Sequence, residues 1–263
     1  MPIADKVLMH LNFHFTAVQT LWTLTFAALL VLLVVLLGRE RSRRFPWFTT
    51  SIALVALRLL TNRLLYGRLA PMTLTSIFLT LADATVIIAL LVLIELARRA
   101  FAGATPRSWL IASLAMLAVG GTVVGFYGPW PDWKTLTAGS PLAVLRLMQL
   151  LAQKGEFLTN LLAIELGLLV VALGRRFQGG WRTHVQRIAI GLSTAAAAQV
   201  AIQVIWQYIA QHTVPHSREE YMRVLDLREK LFNADGAIYV IVVVWWIVCL
   251  WLDEKSKRPA LEG

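Results

Sequence analysis

The sequence predicts an all-α, polytopic membrane protein: a bundle of seven transmembrane helices with the N-terminus outside and the C-terminus cytoplasmic. Three observations carry this. Of 263 residues, 58% are hydrophobic and only 15% charged. The apolar residues form unbroken runs rather than amphipathic stripes, each about long enough to cross ~30 Å of hydrocarbon. The basic residues gather in alternate gaps between those runs. In lipid every backbone amide must be satisfied within its own segment, so such runs are helices.

The spans fall at about 17–37, 47–66, 73–97, 108–127, 157–173, 188–210 and 237–252. They form one transmembrane domain, residues 17–253. Residues 1–16 precede it as an amphipathic, outer interfacial segment, and 254–263 follow as a cytoplasmic tail. The first span is too long for a cleavable signal peptide and lacks a basic flank, so it reads as an uncleaved anchor. Short inner gaps carry turn formers such as Pro46, Gly103 and Gly179. In the outer gap after span four, Trp130 and Trp133 are placed as interfacial anchors, and Ser140-Pro141 reads as a helix start. Helix five extends past its span, because the helical pattern runs from Pro141 to Leu173. It either projects outward or bends at Gly155. Helix seven has a charged, amphipathic approach at 217–233. These outer extensions are expected to form a helical cap; two separate interfacial helices are the alternative.

The net charge of +10 suggests nucleic acid until it is sorted by side. In the gaps after spans one, three, five and seven, with Glu95 at the inner end of span three counted among them, fourteen Lys or Arg face five Asp or Glu, a net +9. The other side, with Arg63 at the outer end of span two counted on it, carries a net +2. The basic excess therefore orients the chain and matches anionic inner-leaflet lipid. Nucleic acid is not an expected partner. Membrane lipid is, together with a protein partner or a second copy in the membrane. Arginine-rich inner loops and the single cysteine, Cys249, suit a bacterial inner membrane and provide neither a disulfide framework nor a CxxC metal site.

Ionisable groups inside spans are costly and are functional candidates. Arg58, Asp83 and Glu165 sit at similar depth, and Arg58–Asp83 is the natural pair because their helices are antiparallel neighbours. Polar residues recur along the outer half-spans: Arg58, Asn62 and Tyr66; Ser76, Thr80 and Asp83; Gln199, Gln203, Gln207 and Gln211; and Thr16 to Thr23 at the start of span one. The inner halves (AALLVLLVVLL, TVIIALLVLI, LGLLVVAL) are nearly pure hydrocarbon. This asymmetry points to a pocket open to the outside above an apolar floor, binding a small ligand. The alternative is interhelical hydrogen bonding without a cavity.

Two histidine pairs at i, i+4, His10/His14 and His212/His216, lie on the outer side. Neutral imidazoles so spaced are ligands for zinc or copper, the only cofactors the sequence suggests. A retinal pigment requires a lysine deep in its last helix, and Ala237–Leu252 has none. Seven-helix zinc hydrolases carry an HxxxH there, which is also missing. No catalytic triad order, phosphate loop or paired-carboxylate motif points to an enzyme. The expected function is a receptor-like sensor or a subunit of a membrane complex. The alternatives are a transporter or proton pathway through Asp83 and Glu165, a metal-dependent membrane enzyme, and a structural subunit.

Overall fold

The computed structural model describes residues 16–65, 67–103, 105–128, 130, 141–173, 183–213 and 216–253. Among these every regular element is an α-helix. The long helices are α1 (Ala17–Gly38), α3 (Pro46–Leu65), α4 (Pro71–Ala100), α5 (Pro106–Phe126), α6 (Pro141–Leu173), α7 (His184–His212) and α8 (Arg218–Trp251). A single short turn, α2 (Arg41–Arg44), joins α1 to α3.

Local sequence explains where these helices begin. α3, α4, α5 and α6 each start on a proline, whose fixed φ and missing N–H suit the first helical position. The others use side-chain caps. Thr16 and Gln19 exchange hydrogen bonds in a capping box, Thr183 accepts from the Gln186 N–H, and Ser217 accepts from the Glu220 N–H. α6 and α8 are continuous over 33 and 34 residues, roughly 50 Å each. Neither bends into separate pieces. At Gly155 a Cβ would lie 2.7 Å from Val86 Cγ1, so the missing side chain lets α4 approach α6 closely.

Six helices form a closed ring in the order α1, α3, α4, α6, α7, α8, with α8 packed back on α1 and α4 also touching α7. These same six are long and apolar enough to cross a membrane. α5 lies outside the ring against α6, and its apolar part, Leu110–Phe126, is shorter than the other six.

The main hydrophobic core fills one end of the ring. It draws on the C-terminal halves of α1, α4, α6 and α8 and the N-terminal halves of α3 and α7, so ring neighbours run antiparallel except for α4 beside α6 and α8 beside α1, which are parallel. Trp246 is its largest member, in edge-to-face contact with Phe48 at 5.1 Å. Gly191 makes room for it: a Cβ there would lie 2.3 Å from the indole nitrogen. Several basic residues border this end. Arg41 bridges to Asp253 at 2.9 Å, Arg187 donates to the Cys249 carbonyl at 3.1 Å, and Arg39 lies over the Trp251 ring. Buried Glu95 accepts the Phe48 N–H at 3.2 Å, which places a carboxylate on the first turn of α3, and it also reaches Arg99 at 3.6 Å.

Candidate functional site: a polar cavity inside the ring

Beyond the packed end the ring opens into a cavity of about 320 Å³, bounded by α3, α4, α6, α7 and α8. Its apolar wall consists of Val55, Val86, Ala89, Val92, Leu93 and Leu192. Its polar side holds Arg58 from α3, Glu156 and Asn160 from α6, Gln199 from α7, and Asp235 and Tyr239 from α8. Counted from the basic end of each helix, Glu156, Gln199 and Asp235 lie about 15–17 residues in, roughly 23–25 Å along the axis. Arg58 is somewhat shallower.

One hydrogen bond organises this group. Gln199 Nε2 donates to Glu156 Oε1 at 2.6 Å, joining α7 to α6. Glu156 and Asp235 line the same cavity from α6 and α8. Arg58, Asp235 and Tyr239 make no hydrogen bond or ion pair with any other described residue, and the amide nitrogen of Asn160 is buried without a partner. The Thr159 and Thr85 hydroxyls also line the cavity, but they donate to carbonyls of their own helices. The site therefore contains several polar groups with unused bonding capacity. In an apolar setting such groups call for water or a ligand.

Of the residues singled out from the sequence, Arg58 and Gln199 line this cavity. Asp83 does not. It follows Ala82 by one residue and so points about 100° away from the lining face of Ala82, Val86 and Ala89. No ion pair joins it to Arg58 among the described residues, and its Oδ1 is buried without a partner. Ser76 and Thr80 donate to the carbonyls of Met72 and Ser76, so α4 satisfies its own hydroxyls. Glu165 faces α5, its carboxylate 3.9 Å from where a Cβ of Gly120 would lie. Asn62 is exposed and Gln203 is half-buried outside the lining. Gln207 lies farther out, near Gly128. There Lys154 bonds the Tyr127 carbonyl and covers the Trp130 ring, while Tyr127 stacks on Phe157 at 4.0 Å. Tyr66, His10 and His14 lie outside the described residues.

The second histidine pair is placed but not assembled. His212 is the last residue of α7, stacked on Tyr208, with Nδ1 2.9 Å from the Tyr208 carbonyl. His216 precedes α8, and its backbone N–H donates to Glu220. Among the described residues no three His, Cys, Asp or Glu side chains converge as a metal would require.

Glu156, Asn160, Asp235 and Tyr239 are absent from the sequence-based site. Glu156 and Asp235 each fall just ahead of an apolar run, where a span window assigns them to the outer gap. The signal was the unbroken helical pattern of α6 and α8, which makes both residues mid-helix.

No family model, curated protein or solved structure matches this chain. The class follows from the molecule itself: six long apolar helices in a ring are the build of an α-helical, multi-pass membrane protein.

Proposed function

We propose that the chain is a seven-helix protein of a bacterial inner membrane that binds a small ligand in the cavity inside its ring. In this reading α5 is the seventh span, the basic loops are cytoplasmic, and the cavity opens to the outer side. The protein acts as a receptor-like sensor or as the ligand-binding subunit of a membrane complex. The observation that carries the proposal is the cluster of Arg58, Glu156, Asn160, Gln199 and Asp235 around one cavity, above an apolar core that closes the ring on the basic side. Buried polar groups facing only hydrocarbon would go unsatisfied, and around a ligand they supply orientation.

Cysteine accessibility tests this. Cys249 is buried and is first replaced by Ala. In that background Ala195→Cys, in the cavity wall, should react with a membrane-impermeant methanethiosulfonate from the outer side only. Leu32→Cys, in the closed core, should react from neither side. If Ala195→Cys resists the reagent from both sides, the pocket reading fails. Labelling from the basic side alone overturns the outward opening.

A cation or proton pathway is the second reading, favoured by the two carboxylates, Glu156 and Asp235, on the wall of one cavity. It requires a wet route through the basic end, which the apolar core fills. Proteoliposome flux that disappears in Asp235→Asn would promote it over ligand sensing.

A further inference from the structure

Resting on the pocket reading, we propose that the ligand is a small zwitterion: an ammonium and a carboxylate joined by a short apolar spacer. The argument comes from which charges in the cavity are already used. Glu156 gives one oxygen to Gln199, while Asp235 gives none to any described residue. Two carboxylates that line one cavity are complementary to a cation held between them.

Arg58 shares the cavity, yet no ion pair joins it to either acid among the described residues. Its guanidinium presents a planar fork of donors that matches a carboxylate and cannot lose its charge. The cavity thus holds charges of both signs apart from each other. A simple organic cation would leave Arg58 without a partner. A simple anion would leave the two acids facing each other. Only a molecule carrying both charges satisfies both ends, and Val55 and Val86 supply an apolar wall for its spacer. A volume of about 320 Å³ holds a molecule of that size.

The test uses the full chain in detergent micelles and the ω-amino acids from glycine to 6-aminohexanoic acid, with n-butylamine and butyrate as singly charged counterparts. One amino acid should raise the thermal midpoint with the logarithm of its concentration once above its Kd, and should protect Ala195→Cys from the thiol reagent. The amine and the carboxylate should bind about tenfold more weakly or worse, the value of one charge-assisted hydrogen bond. Arg58→Gln should weaken the amino acid about tenfold and leave butylamine unchanged. Asp235→Asn should weaken it similarly while leaving butyrate unchanged. If Arg58→Gln fails to fold, Arg58→Lys keeps the charge, loses the fork, and should still weaken the amino acid. Butylamine binding as tightly as the best amino acid overturns the zwitterion, and so does a series in which nothing binds. In either case labelling of Ala195→Cys still reports on the pocket, so the two failures are distinguishable.

Discussion

The two ends of the ring are built from the same six helices but pack in opposite ways. At the basic end, side chains from all six meet in one continuous core, and Trp246 lies so close to Gly191 that no larger residue fits. Half a helix further along, the same ring encloses a cavity with five charged or amide side chains on its wall. In lipid, helices are held together by packing and interhelical hydrogen bonds rather than by exclusion of water. The contrast therefore divides the labour: the packed end carries the stability, which leaves the open end free to hold polar groups with bonding capacity to spare. Substitutions at the packed end should change stability most, and those in the cavity should change ligand response with smaller effects on stability.

The largest effect expected is at Trp246. Trp246→Ala removes a side chain that is 1% exposed and leaves a hole beside Phe48 and Gly191. The cost should be about 3–5 kcal/mol, followed by circular dichroism during denaturation in micelles. If the loss is under ~1 kcal/mol, stability does not reside at the basic end. Gly191→Val approaches the same contact from the other side, and overpacking there should cost about 1–3 kcal/mol.

Next in size is Glu95. Its carboxylate accepts the Phe48 N–H and pairs with Arg99, so Glu95→Ala orphans a buried donor at about 1–3 kcal/mol. Glu95→Gln keeps an oxygen for that amide and should recover part of the loss in the same melt. Equal losses in both variants would mean that the charge, rather than the hydrogen bond, holds the start of α3.

These residues also show how far the sequence could be read. The polar and apolar half-spans were visible as strings, and both Arg58 and Gln199 were found because they interrupt an apolar run. Glu95 was counted among the loop charges, since nothing local reveals that it folds back onto α3. Glu156 and Asp235 were missed because each lies just ahead of the apolar run that marked the start of its span, whereas the helix continues through it. Asp83 was misplaced for a different reason. Periodicity fixes which residues share a helix face, but which face turns inward is set by the neighbouring helices. The position of α5 outside the ring is a tertiary fact of the same kind, because its 21 residues read much like any other span.

A smaller effect is expected in the cavity. A double-mutant cycle on Gln199 and Glu156 should give a coupling of about 0.6 kcal/mol and no more than about 1.7, the range for hydrogen bonds between membrane helices. Gln199→Leu should nevertheless disturb ligand response, because it frees Glu156 and fills part of the cavity. A coupling well above that range would move the cavity hydrogen bond into the group that holds the ring together. The division between the two ends would then be weaker than the packing implies.

The smallest effect should come from the rim of the packed end. Arg41 and Arg39 reach Asp253 at 2.9 and 3.8 Å, but Asp253 is 75% exposed, so water screens both contacts. Asp253→Asn should cost under about 1 kcal/mol, and the difference should shrink as salt is raised. This variant separates packing from charge at the basic end. If it destabilised as much as Trp246→Ala, the arginine collar rather than the apolar core would be closing the ring. The same loops would then have to bear load as well as set orientation, two roles that the exposure of Asp253 keeps apart.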